Sequence, residues 1–223
     1  MAKKVPATNE DKKRSYYKYY LQDCSAGDPE RHQLIDQGPC DNADALRIQN
    51  RNDLFKPGDL PGEFGWWQLE DGTGLIANKT FFPGTTGEMF DWWFAWHPIR
   101  RIRYACWDNE DHYDVYLEDP AKAVDMSKSM RERHWGSIHN IWEDIGTGKA
   151  DLLRIHFRRP SELGYDESKV DTELCNALVC ANCRCPRGHD PLPAPLRGGQ
   201  HSALPLLVWL ANHRREGRQV HSR

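Results

Sequence analysis

The residues able to do chemistry crowd into one stretch of this chain. Phe90 to Tyr116 reads F-D-W-W-F-A-W-H-P and then R-Y-A-C-W-D-N-E-D-H-Y-D-V-Y. It holds four of the nine tryptophans (Trp92, Trp93, Trp96, Trp107), two histidines (His97, His112) and several carboxylates. Large rings packed around imidazoles and acids build either a dense core or a dry pocket with a few directed polar groups. His112 lies in Asp111-His-Tyr-Asp; imidazole ligates metals, and a neighbouring carboxylate can fix its tautomer. The alternative is a surface histidine in a polar loop. Glu143, in Trp142-Glu-Asp-Ile-Gly, is an acid at the edge of an apolar segment, where a carboxylate is either paired with a charge or bound to a metal. A sheet would let His112 and Glu143 meet across their distance in sequence. His97, between Trp96 and Pro98, reads as a helix C-cap, a packed histidine or a ligand. His134 and His139, on either side of Trp135, carry the same alternatives. Cys180-Ala-Asn-Cys183-Arg-Cys185, with His189 nearby, resembles half of a zinc knuckle, but no second C-x-x-C follows.

These groups need elements to hold them. Phe64 to Leu69 and Leu75 to Phe82 read as strands of a hairpin around Asp71-Gly72. Thr85 or Thr86 caps a helix that runs from Met89 to Trp96 and stops before Pro98. Met89, Trp92, Trp93 and Trp96 fall at helical spacing, which predicts that this face is buried. Arg100 to Trp107 reads as a strand, with His112 following it. Asp125 to Glu132 reads as helical, Trp135 to Glu143 as a strand, and Leu152 to Phe157 as an alternating strand ended by Pro160. Residues 22–62, rich in Asp, Gly, Pro and Asn, read mainly as loops, with one or two helical turns at Ala43 to Ile48. The whole predicts an α+β body with an antiparallel sheet and a helix packed on it.

Composition narrows the function. Residues 1–180 carry 23 Lys+Arg against 31 Asp+Glu, a net charge of −8, while residues 181–223 carry seven Arg and two acids, a net of +5. An acidic body argues against a nucleic-acid-binding surface. No apolar run reaches the ~18 residues of a membrane span, and Met1-Ala-Lys-Lys is followed by polar residues rather than a signal-peptide core. Seven unevenly placed cysteines are not a disulfide framework. The expectation is a cytoplasmic protein with neither membrane nor nucleic acid as partner.

Taken as a set, four segments resemble the diacetylphloroglucinol hydrolase/phloretin hydrolase family over roughly residues 64–182. They are W-W-Q-L-E-D-G-T-G-L-I-A-N-K-T-F-F-P-G-T-T-G-E-M-F-D-W-W-F-A-W-H-P, R-Y-A-C-W-D-N-E-D-H-Y, the E-D-I-G of Glu143 to Gly146, and the P-S-E-L-G-Y-D of Pro160 to Asp166. The resemblance implies zinc-dependent hydrolysis of a carbon–carbon bond beside a ketone on a phenolic ring, with a small aromatic ketone as substrate. It implies a helix-grip fold like that of the pollen allergens, in which a curved antiparallel sheet wraps a long helix around a cavity. His112 and Glu143 then correspond to the first two zinc ligands, and Tyr104 to a tyrosine that contacts the substrate's phenolic groups. Trp96, His97 and Trp107 fall to the aromatic wall that receives the substrate. The family's later H-x-x-x-E ligand pair has no counterpart after Glu143. His139 and Glu143 have that spacing but reuse the middle Glu, and His213-Arg-Arg-Glu216 is one residue too short.

The expected organisation is therefore a loop-rich segment at 1–62, a hydrolase-like α+β domain at 63–182, and a basic, Pro/Arg-rich disordered tail at 183–223. The fold is expected to be incomplete on its C-terminal side and the zinc site weak; a homo-oligomer is compatible with this. Two other readings compete with the hydrolase: a non-catalytic module that binds aromatic ligands, and an interaction protein that uses the Cys-rich tail.

Overall fold

The computed structural model describes residues 3–184 and the strand Leu204–Leu210. It is α+β, with two antiparallel sheets and short helices. The first sheet is the predicted hairpin, β1 (Phe64–Gln68) paired with β2 (Gly74–Asn78). At its turn Gly72 takes φ 83°, a conformation that glycine adopts freely, and the Asp71 carboxylate accepts from Thr73 N at 2.9 Å. The second sheet runs β3 (His112–Leu117), β4 (Ile138–Glu143), β5 (Asp151–Arg158), β6 (Ala177–Arg184) and β7 (Leu204–Leu210), each antiparallel to the next. β7 lies within the segment read from sequence as a tail. Its backbone pairs with β6 from Ala177↔Leu210 to Cys183↔Leu204. Cys185, His189 and His213-Arg-Arg-Glu216 lie outside the described residues.

Among the described residues, six short helices accompany the sheets: α1 (Tyr17–Tyr20), α2 (Pro29–Asp36), α3 (Gly87–Trp96), α4 (Arg101–Tyr104), α5 (Pro120–Ala123) and α6 (Met130–His134). The helix α3 starts where its cap predicts, with the Thr86 hydroxyl accepting from Met89 N at 3.2 Å. Its buried face is not the predicted one. Met89 is 54% and Trp92 40% exposed, whereas Phe90, Asp91 and Ala95 are buried. The tryptophans stack on one another along the helix flank, so ring–ring contact takes the place of burial under the sheet. Phe90 meets the sheet instead, in a core with Val115, Ile141, Ile155, Phe157, Ala177, Val179 and Ala181. Burying one such phenylalanine stabilises the fold by about 1.5–3 kcal/mol. The small side chains of β6 admit the helix. Its first residue, Gly87, comes so close that an added Cβ would lie 2.4 Å from the Asn176 carbonyl.

Three further expectations are corrected. Arg100 to Trp107 is not a strand: α4 occupies Arg101–Tyr104 and Ala105 N bonds to Arg101 O at 3.0 Å. Ile102 and Tyr104 alternate as in a strand, and Ala105 is buried beside them. Residues 22–62 are more than loops. They contain α2, opened by Asp28 accepting from Glu30 N with Pro29 at the first position, and 3-10 turns at Asn42–Asp44 and Ile48–Phe55. The polar run from Asp125 becomes helical only at α6, where Ser129 and Glu132 form a capping box.

The β6 strand also settles the Cys180–Cys183 pair. Side chains alternate across a sheet, so positions three apart point to opposite faces. Cys180 packs with Leu54, Phe55 and Leu178 on one side, while Cys183 packs against the Phe90 core on the other. These two thiols do not chelate one ion. Among the described residues no helix is long and apolar enough to cross a membrane.

Candidate active site

Register brings His112 and Glu143 together. His112 opens β3, Glu143 closes β4, and the two are Cα partners. A regular strand would put His112 and Val115, three positions apart, on opposite faces. The β3–β4 ladder shifts register between His112 and Asp114, and this bulge absorbs one residue. His112 therefore shares the face of Glu143, Ile141 and Val115, over which α3 and α4 pack. Its Nε2 lies 3.6 Å from Glu143 Oε2.

The Tyr104 side chain, at the end of α4, completes the group. Its hydroxyl donates a short hydrogen bond to Glu143 Oε2. Its ring stacks on His112 with centroids 4.0 Å apart and planes 3° apart. The backbone carbonyl of Tyr104 faces His112 Nδ1 at 3.3 Å. A carbonyl only accepts, so Nδ1 carries a proton, and Nε2 is the ring nitrogen that faces Glu143. Burial pushes the Tyr104 phenol up from its ordinary value, and the Glu143 charge pushes it the same way. Tyr104 thus stays a neutral donor at physiological pH.

The approach to His112 is fastened by the N-terminal segment. Asn109 is buried; its side-chain amide donates to the carbonyls of Tyr20 and Gln22, each at 2.6 Å, and its own carbonyl accepts from Val5 N at 2.6 Å. Asp108 turns the loop by accepting from Glu110 N and Asp111 N. Neither residue stands out in the sequence, although Asp-Asn-Glu-Asp is a turn signal in hindsight.

The remaining candidates fall at different places. His97 is buried behind Tyr104, stacked on it at 5.6 Å, and its Nδ1 donates to Trp93 O at 2.8 Å. Desolvation holds its imidazole neutral, pushed down to about 3. Trp96 turns to the N-terminal segment, edge-on to Tyr16 at 5.2 Å and under the Arg103 guanidinium at 4.6 Å. Trp107 is 54% exposed and leans on Trp93 and Phe82. Trp93 links Trp107 to His97 and was not singled out from sequence, where only the tryptophan run as a whole stood out. His139 is packed in the core against Phe157 at 4.4 Å and meets the Ser137 hydroxyl at 3.1 Å. Its H-x-x-x-E spacing to Glu143 spans about 13 Å on an extended strand, too far for both to bind one ion.

A zinc ion in a catalytic site takes three protein ligands. His112 and Glu143 supply two donors, and no group of three or more His, Cys, Asp or Glu side chains suited to a metal occurs among the described residues. The described residues therefore do not by themselves fit zinc.

The family model described as DAPG hydrolase PhiG domain matches residues 46–194. Phloretin hydrolase from Eubacterium ramulus is 41% identical over 180 residues, 80% of this chain and 65% of its own. 2,4-Diacetylphloroglucinol hydrolases from a Pseudomonas species and from Pseudomonas protegens are each 33% identical over 185 residues, 80% of this chain and 60% and 58% of theirs. The chain thus spans somewhat less than two thirds of the length of these relatives. With a match across most of its length, the chain belongs to the DAPG hydrolase PhiG domain family.

Proposed function

We propose that this protein hydrolyses the carbon–carbon bond joining an acyl group to a phenolic ring of the phloroglucinol type. The reading is carried by one observation: in a member of this family, Tyr104, His112 and Glu143 converge on one point at the end of the β3–β4 ladder. In the reaction, water adds to the acyl carbonyl, and the bond from that carbon to the ring breaks. Its electron pair passes to the ring carbon, where the ring oxygens stabilise it as an enolate, and a proton completes the ring. The acyl group leaves as a carboxylic acid. Glu143 is placed to take a proton from the water; once that carboxylate is neutralised, the neutral Tyr104 hydroxyl is freed from it to donate to a ring oxygen as charge builds there. Trp107 and Trp93 offer the rings on which an aromatic substrate stacks.

Zn²⁺ belongs to this reading only with further donors from outside the described residues, since His112 and Glu143 alone do not make its site. The reading also takes the five-stranded sheet with α3 across it as a helix-grip-like fold around a cavity. A cytoplasmic setting is part of it as well, supported by six free thiols among the described residues. The two-donor count favours one second reading, a module that binds acyl phenols without turnover. Incubating the full chain with phloretin or 2,4-diacetylphloroglucinol, with and without added Zn²⁺, and identifying products by mass spectrometry separates the two. Deacylated ring plus carboxylic acid supports the hydrolase; saturable binding without product supports the module.

A further inference from the structure

Four rings form one stack that ends at the candidate site. Trp93 lies against His97 with centroids 5.1 Å and planes 22° apart, His97 against Tyr104 at 5.6 Å and 29°, and Tyr104 against His112 at 4.0 Å and 3°. Trp93 comes from α3, His97 from its C-cap, Tyr104 from α4 and His112 from β3, so the stack ties three elements together. Within it the His97 ring is held on every side. It is only 4% exposed, and Phe94 and His139 meet it edge-on at 5.6 and 5.5 Å. The Nδ1–H bond to the Trp93 carbonyl, at 2.8 Å, fixes its rotation. Tyr104 is held less directly. Its hydroxyl has Glu143, but the pitch of its ring is set by what lies on either face. Groups in a working site must be kept within roughly 10–20° of their productive orientation.

We propose that His97 is a positioning residue that acts through Tyr104: its ring sets the pitch of the phenol, so that the hydroxyl meets Glu143 and the far face supports His112. The inference rests on the hydrolase reading of Tyr104 and Glu143, but its geometry does not. A histidine that instead touched the substrate would act independently of Tyr104.

The test compares the full chain with His97→Phe, which keeps a ring in the stack, and His97→Leu, which fills the space without one. Tyr104→Phe and the double variant of His97→Leu with Tyr104→Phe complete the set. The first readout is near-ultraviolet circular dichroism of the tyrosine band, with the Tyr104→Phe spectrum subtracted to isolate Tyr104. A ring held at one pitch between two others gives a strong signed band. In His97→Leu that band collapses because the ring is no longer held; His97→Phe restores it. An unchanged Tyr104 band in His97→Leu overturns the proposal, and so does failure of both variants to fold. The second readout is turnover of phloretin. His97→Leu lowers kcat about 10- to 100-fold with KM little changed, and costs clearly less on the Tyr104→Phe background, where only the ring's support of His112 is left to lose. A raised KM, or losses that multiply in the double variant, would contradict it. If the parent chain turns over no acyl phenol, the hydrolase reading fails, while the dichroism still decides the role of His97.

Discussion

Three side chains make the proposed site, and each is held by a different kind of contact. His112 is fixed by the Tyr104 carbonyl on one nitrogen and by the phenol beneath its face; Glu143 is fixed by the Tyr104 hydroxyl. Tyr104 therefore organises both partners. Its replacement by Phe keeps the ring and removes one donor. We expect kcat on phloretin to fall about 10²- to 10³-fold, as when a single donor to developing charge is lost. Urea unfolding should show a stability change of about 1 kcal/mol. His112 and Glu143 can be picked out by type, an imidazole beside acids and an acid ending an apolar run, but only the family resemblance sets them apart from a surface histidine and a paired acid. Tyr104 was legible only through family resemblance, because a tyrosine in R-I-R-Y carries no chemical signal. Asn109 was illegible: its importance lies in carbonyls at positions 20 and 22, which have no side-chain signature.

Among the elements, α3 shows what sequence periodicity can and cannot say. Its start and stop followed from Thr86 and Pro98, which act locally. Its buried face did not, because six aromatic or aliphatic residues leave the helix apolar nearly all round and spacing cannot choose between sides. The choice is marked by a polar residue: Asp91 is 5% exposed and bound by Arg131 Nε at 2.6 Å, while Arg131 also makes a two-toothed pair with Asp171 at 2.6 and 2.7 Å. This guanidinium joins α3, α6 and the loop before β6. Arg131→Ala would leave a buried carboxylate unpaired, and we expect a loss of about 3 kcal/mol or more, read as a lower urea midpoint. The bulge in β3 was illegible for a related reason. His-Tyr-Asp-Val alternates poorly as written, and the strand becomes visible only once one residue is taken out of the count.

At the scale of the whole molecule, the core mixes aromatic and aliphatic side chains and, among the described residues, includes three buried imidazoles. Burial pushes His97 down to about 3, His134 to about 4, and His139 well below its ordinary value. Each binds its proton more readily in the unfolded chain. Their contribution is thus complete above the ordinary histidine range near 6.5 and is lost as pH falls toward 4 and 3. Asp91 works in the opposite sense. Desolvation raises its carboxyl to about 6, so its contribution is present below the ordinary aspartate value and lost as pH rises through 6. Three groups against one predict net acid sensitivity, and the urea midpoint should fall steadily from pH 7 to pH 4. A midpoint flat across that range would show that these imidazoles are not held neutral. The α+β class and the hairpin could be read from turn residues and alternation. The sheet order could not, since β3 was hidden by its bulge and β7 lies in a segment whose prolines and arginines read as a tail.

The most direct measurement is the rate of phloretin hydrolysis by Glu143→Gln relative to the parent chain, under conditions where the parent releases the acyl group. The substitution keeps the size of the side chain and its bond with Tyr104 while removing the base. Loss of at least about 10²-fold in kcat, with an unchanged fold, is the predicted result. A variant that works as fast as its parent would show that the β3–β4 pair is not where the bond is broken.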